Sequence, residues 1–389
     1  MSELRPDTLA VRGGLVRSGF DETSEGLFMS SGYVYASAQE AEAAFKDEID
    51  RFVYSRYGNP TVAMFQERMR LLEGSEACFA TATGMSAVFV ALAALLGKGD
   101  RVVSSRSLFG SCFVILDEIL PRWGVETVFV DGSDLDQWRE ALSVPTVAVF
   151  FESPSNPMQE LVDMAAVCDL AHLAGAQVVV DNVFGTPVFS KPLEQGADVI
   201  VYSATKHIDG QGRTLGGAIL GTADFIDGPV KNLMRHIGPS MSPFNAWVLL
   251  KGLETLSLRV ERMSASALQL ARALEAHPKV LRVWYPWLDS HPQHELATKQ
   301  MYGGGTVVTF ELVGGKDDAF AVMNALQIVD ISNNLGDAKS MITHPATTTH
   351  RRLGPEARLA VGITDGVLRV SVGLEDVRDL IEDFEGALP

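Results

Sequence analysis

Through residues 46–240, short and nearly continuous apolar runs alternate with longer segments whose apolar positions recur every three or four residues. The short runs, Ala77–Thr83, Arg101–Ser105, Glu126–Val130, Thr146–Phe151, Val178–Asp181 and Asp198–Tyr202, read as buried strands. The longer ones, Val62–Leu72, Ala87–Leu96, Ser111–Arg122, Leu135–Leu142 and Ala165–Ala174, read as helices. Strands alternating with helices predict an α/β unit with a mostly parallel central sheet and helices on both faces.

The pattern changes near Ser240. Leu253, Leu256, Val260, Met263, Ala267, Leu270 and Leu274 step by three and four without a break, which predicts one long amphipathic helix. Beyond it, strands Val280–Tyr285, Thr306–Leu312 and Val367–Val372 mix with helices Asp317–Leu326 and Leu374–Glu385, an α+β pattern. Residues 1–45 have no sustained period and read as an extended arm, which needs something such as a neighbouring subunit to pack on. The expected partition is therefore an arm (1–45), an α/β domain (46–240) and a smaller C-terminal α+β domain (241–389).

Composition narrows the class. A net charge of -17 argues against nucleic acid and anionic membrane surfaces, both of which call for basic patches. The opening residues lack the apolar core of a signal peptide, and Ala87–Leu96 has about half the length of a membrane span. Cys78, Cys112 and Cys168 are scattered through apolar contexts, so buried reduced thiols in a cytoplasmic protein are expected. His291, His294, His344 and His350 lack the spacing and the cysteine or acid partners of a metal centre, and no metal is expected.

The candidate chemistry lies at the ends of the apolar runs. Val199–Gly217 breaks from a strand into Ser203, Thr205 and Lys206, followed by closely spaced glycines. A desolvated lysine is a usable nucleophile or base. On its own, this stretch also fits a surface lysine behind an edge strand. Asp181 ends the preceding strand, where ligands bind in open α/β sheets. A strand-end acid and a lysine on the next strand suit pyridoxal phosphate, whose aldehyde needs an amine and whose ring nitrogen needs an acid. Gly84 and Met85 sit at the mouth of a helix, where free N–H groups hold phosphate. Tyr54 and Arg56 share one side of an extended segment and suit a phosphate, although taken alone they fit a polar turn before the helix Val62–Leu72 better. Asn156 follows a strand end, and Arg369, inside an apolar strand, is either paired or awaits an anion.

The motifs YSRYGNPT, ATGMSA, ESPSNP, VVVDN, SATKHIDGQGR, NNLGDAKSMITHPATTTH and LRVSVGLED appear in the order and spacing of a known family. The chain resembles the Cys/Met-metabolism enzymes dependent on pyridoxal phosphate, from about Thr8 to Leu388. The resemblance implies the type I fold of such enzymes, similar to aspartate aminotransferase. It implies that Lys206 holds the cofactor, that Asp181 pairs with the ring nitrogen, and that Asn156 lies near the ring oxygen. Gly84, Met85, Ser203 and Thr205 would bind the phosphate, with Tyr54 and Arg56 contributed by a neighbouring subunit. The active unit would then be a dimer that shares its sites, itself paired into a tetramer. Arg369 would grip the substrate's α-carboxylate, with Asn334 beside it where several relatives carry serine.

One departure bears on the reaction. Phe109 stands where many members have tyrosine, so the ring can stack on the cofactor but offers no hydroxyl. A thiolate leaving group, with thiol pKa of about 8.5, needs a proton more than a carboxylate, whose acid has a pKa of about 4. The expected reaction is γ-replacement on O-succinyl-L-homoserine, with sulfide entering and succinate leaving to give L-homocysteine. Cysteine as the nucleophile, or γ-elimination from cystathionine or methionine, are the alternatives within the family. A catalytically silent binding protein is the alternative outside it.

Overall fold

The computed structural model describes residues 4–389. Seven strands form the larger sheet: β1 (Ala77–Thr81), β2 (Arg101–Ser105), β3 (Glu126–Val130), β4 (Ala148–Glu152), β5 (Gln177–Asp181), β6 (Val199–Ser203) and β7 (Gly217–Gly221). Their order is β1-β7-β6-β5-β4-β2-β3. All neighbouring pairs from β6 to β3 are parallel, and β7 runs antiparallel between β6 and β1. Successive side chains of β6 enter different cores. Ile200 and Tyr202 pack with helices Pro60–Glu73 and Pro243–Leu253, whereas Val199 and Val201 face helix Gly84–Leu95. This two-sided burial is why the strands are uninterrupted apolar runs.

A second sheet has the order β10-β11-β12-β9-β8. Its strands are β8 (Val280–Trp284), β9 (Val307–Leu312), β10 (Asp330–Ile331), β11 (Met341–Thr343) and β12 (Val367–Ser371). One face buries Phe310, Leu368 and Val370 against helices Lys316–Ala325 and Val377–Ala387. Helix Leu256–Ala276 joins the two halves. Leu256 and Val260 belong to the core of the first sheet, and Leu270 and Leu274 to that of the second.

One strand lies outside the sequence expectations, and three expectations need correction. Gly217, among the glycines after Lys206, begins strand β7. A Cβ on Gly217 would collide with Thr81 and Thr83, so only glycine lets β1 approach so closely. The helical segment after Phe109 is irregular: Gly110–Val114 is α-helical, Ile115–Ile119 is π-helical and Leu120–Trp123 is a 3-10 turn. Pro121 supplies no N–H to a regular ladder there. The apolar stripe through Leu253 is two helices, since one ends at Leu253 and the next starts at Leu256. The N-terminal arm is also not extended throughout. Pro6–Arg12 is helical and buries Ala10 against the first core, and Ala38–Phe45 is helical with Ser37 capping Glu40 N–H.

Candidate functional site

Strands β4, β5 and β6 end at one edge of the sheet, and they present Glu152, Asp181 and Ser203 there. Lys206 follows β6 in a tight turn, and its Nζ donates to Asn334 Oδ1 at 2.6 Å. Arg369 reaches the same place from β12 and is 1% exposed. Its Nη1 donates to Asn156 Oδ1 at 2.9 Å, and its Nη2 to the carbonyls of Asn333 (2.9 Å) and Asn334 (3.1 Å). Its Nε has no partner. Between the two sheets lies a cavity of about 250 Å³ that meets Lys206, Asp181, Phe109 and Arg369.

The helix Gly84–Leu95 opens onto this cavity. Thr83 caps it by accepting from Ser86 N–H at 3.0 Å, which leaves the Gly84 and Met85 N–H groups without an acceptor inside the helix. Glycine is required at 84 because a Cβ would come within 2.5 Å of Ser203 Cβ. Ser203 and Thr205 line the cavity beside these N–H groups. The result is a small donor-rich cradle for an anion at the positive end of a helix.

Burial sets the electrostatics. It pushes the Lys206 amine down to about 8, and the Arg369 charge pushes the same way. Burial raises the Asp181 carboxyl, while the Val183 N–H donated to Oδ1 at 3.0 Å lowers it. Glu152 is also raised, first by burial and then by the neighbouring Asp181. A cationic ring nitrogen over Asp181, an anion in the cradle and a carboxylate on the orphaned Arg369 Nε would satisfy all three groups. The donor set therefore fits pyridoxal phosphate and an amino-acid substrate.

Lys206 provides a test of this environment. Only the neutral amine condenses with an aldehyde, and a lowered pKa makes that form half-populated near pH 8. In cofactor-free protein, the rate of recombination with pyridoxal phosphate is expected to climb through pH 8 and level off above it. A midpoint above 10, near that of an ordinary lysine, would contradict the buried environment.

The structure thus brings together Lys206, Asp181, Gly84, Met85, Phe109, Asn156, Ser203, Thr205 and Arg369 around one cavity. Asn334 joins them through the Lys206 amine, a different contact from the carboxylate role expected of it. Tyr54 and Arg56 do not line the cavity of their own chain. Arg56 instead donates to Arg235 O and stacks on Tyr54 and Tyr57. Among the histidines, the two nitrogens of His344 are held by Thr347 and the Asp365 carbonyl.

Two residues of the site escaped the sequence reading. Glu152 ends the apolar run AVFFE just as Asp181 ends QVVVD, so the same strand-end signal would have found it. Arg259 carried no signal beyond its place on an amphipathic helix. It is buried and donates to the carbonyls of His207 (2.8 Å) and Gly252 (2.7 Å), pinning the turn that follows Lys206.

Comparison with known proteins agrees with this geometry. Residues 7–389 match the model of the family described as Cys/Met metabolism PLP-dependent enzymes. The chain is 65% identical to an O-succinylhomoserine sulfhydrylase of Mycobacterium tuberculosis, over 98% of this chain and 95% of that one. It is 49% identical to an O-succinylhomoserine sulfhydrylase of Pseudomonas aeruginosa, over 98% and 94%. A solved structure of a putative O-acetylhomoserine (thiol)-lyase from Campylobacter jejuni superposes with a TM-score of 0.95 at 31% identity, covering 99% of this chain and 100% of that one. That structure contains a pyridoxyl-lysine monophosphate, which requires a lysine beside the cofactor. A half-buried amine, a half-buried strand-end acid and an anion cradle in one cavity, with a family match along almost the whole chain, place this protein among the Cys/Met-metabolism enzymes dependent on pyridoxal phosphate.

Proposed function

We propose that this enzyme replaces the succinyloxy group on Cγ of O-succinyl-L-homoserine with sulfide, giving L-homocysteine and succinate. The full-length likeness to the Mycobacterium relative carries the reading. The absence of a hydroxyl at Phe109 agrees with it, because a departing carboxylate needs no proton from that position. A wider cavity of about 740 Å³ shares Phe109 and Asn333 with the site and carries Ser111, Thr347 and Thr349. Its hydroxyls are suitable donors for the distal carboxylate of a succinyl chain.

Bound pyridoxal phosphate supplies an aldehyde that holds amines covalently and a cationic ring that draws electrons from Cα. The rest is the work of the chain's own side chains. The free Nε of Arg369 takes the substrate's α-carboxylate, while its Nη atoms stay fixed on Asn156 and the Asn333 and Asn334 carbonyls. Lys206 Nζ removes the Cα proton and then moves a proton at Cβ. A pKa of about 8 lets one amine serve as base and then acid. Asp181 keeps the ring nitrogen protonated, and Phe109 stacks without exchanging protons. Gly84 and Met85 N–H, with Ser203 and Thr205, would hold the phosphate, and Asn156 would lie on the side of the ring oxygen.

Tyr54 and Arg56 complete the phosphate site of a neighbouring copy, which accounts for their lying outside their own cavity. The assembly is a site-sharing dimer that pairs into a tetramer. Exposed apolar residues on the arm, Phe20 and Val34 among them, suit such contacts. The three cysteines are all free and buried, in keeping with a reducing cytoplasm. Among the described residues, no helix is long and apolar enough to cross a membrane.

Product analysis tests the reaction. O-succinyl- and O-acetylhomoserine are each offered sulfide or cysteine, and succinate with homocysteine is expected to dominate. Mainly cystathionine would identify a γ-synthase instead. Mainly 2-oxobutyrate, formed without a nucleophile, would identify a lyase.

A further inference from the structure

Glu152 is buried directly across the sheet from Asp181, its register partner on β5. Its Oε1 accepts the Phe109 N–H at 2.6 Å and its Oε2 the Asn156 N–H at 3.4 Å. A carboxyl oxygen of Glu152, one of Asp181 and the Cys112 Sγ lie within 4.8 Å of one another. The groups acting on Glu152 are Asp181, these two N–H groups and the Cys112 thiol, none of them cationic. Lys206 and Arg369 line the same cavity but bond to Asn334, Asn156 and backbone carbonyls. A buried carboxyl and a half-buried one this close together do not both ionise readily, and a pair of this kind holds one proton between them.

The two carboxyls are not equivalent. Asp181 is the one that faces the ring nitrogen in the reading above, on which this inference rests. A cation there keeps Asp181 ionised and leaves the proton on Glu152. We propose that Glu152 is a positioning residue of the site: as a neutral acid it donates to Asp181, and it anchors the backbone at Phe109 and Asn156. One carboxyl then aligns three parts of the site. They are the acid under the ring nitrogen, the ring that stacks on the cofactor, and the Asn156 amide that holds Arg369 Nη1.

Glutamine can imitate a neutral glutamic acid, since its amide donates to Asp181 while its oxygen still accepts from Phe109 N–H. Glu152→Gln is therefore expected to hold pyridoxal phosphate with a dissociation constant within about threefold of wild type and to keep the visible band of the holoenzyme. Glu152→Ala leaves the Phe109 and Asn156 N–H groups without their acceptor and removes from Asp181 the donor proposed beside Val183 N–H. Its cofactor dissociation constant is expected to rise about tenfold or more, with a shifted visible band.

Infrared spectroscopy of the holoenzyme provides a reading independent of folding defects. Glu73 and Glu160 are also pushed toward the protonated form by burial, so the reading is the difference between wild type and Glu152→Gln, in which one protonated-carboxyl carbonyl band is expected to be lost. A difference spectrum without that band overturns the proposal. So does a Gln variant that loses as much cofactor affinity as Ala, or an Ala variant that loses none. None of these readouts uses O-succinylhomoserine, so a wrong substrate assignment would leave them standing. Loss of cofactor affinity in Glu152→Gln with that band present in the difference spectrum would show that the neutral acid serves something other than Asp181, and would equally overturn the proposal.

Discussion

Lys206→Ala is expected to lower turnover by at least about 10⁴-fold, the upper end of what one positioned acid-base group contributes. Lys206 is the only lysine lining the cavity among the described residues. Its amine is held at 2.6 Å by Asn334 Oδ1, and it is already partly neutral near physiological pH. In the proposed mechanism alanine would remove the proton carrier and the point of covalent attachment together, leaving the anion cradle and Asp181 in place. The variant should therefore still take up cofactor, but reversibly. Borohydride reduction followed by peptide mass analysis checks this, with a cofactor-bearing peptide containing Lys206 in wild type and none in the variant. An adduct persisting on another lysine, such as Lys191 or Lys339, would show that the amine has been misassigned. The fold should not suffer, because burying an amine disfavours its charged form and the substitution removes that cost.

Much of this site is legible in the chain because strand ends are marked by composition. VVVD and VIVYSATK each pass from residues that must be buried on both faces to a residue that can be buried only with a partner. Arg369 is legible for the same reason, as a charge inside an apolar strand. What stays hidden depends on distance in space. Asn334 Oδ1 meets Lys206 across 128 positions, and no local pattern distinguishes that contact from one with Arg369. Strand β7 is hidden because glycine and alanine dominate its sequence, GAILG, and glycine weakens any strand pattern. The irregular helix after Phe109 is a third case. Its apolar spacing suits an α-helix, but the backbone widens into a π-turn at Ile115–Ile119 and then tightens into a 3-10 turn where Pro121 supplies no N–H.

Asp181→Asn is expected to separate binding from chemistry. Asp181 is half-buried at the end of β5, and its Oδ1 is already engaged by Val183 N–H at 3.0 Å, so an isosteric amide can keep that bond and the local fold. An amide cannot balance a positive charge on a ring nitrogen. Breaking a buried charge pair costs about 3–5 kcal/mol, equivalent to roughly 10²–10⁴-fold in rate when the pair matters most as charge accumulates on the ring. That loss should appear in kcat, since Arg369 holds its contacts through Asn156, Asn333 and Asn334 and touches Asp181 through none of them. KM for the amino-acid substrate should change little. Because removal of the Cα proton then limits the rate, substrate deuterated at Cα should show a larger isotope effect with the variant than with wild type. Near-normal turnover, or an unchanged isotope effect beside a raised KM, would mean that Asp181 serves only to bind and that the ring nitrogen draws its proton from elsewhere.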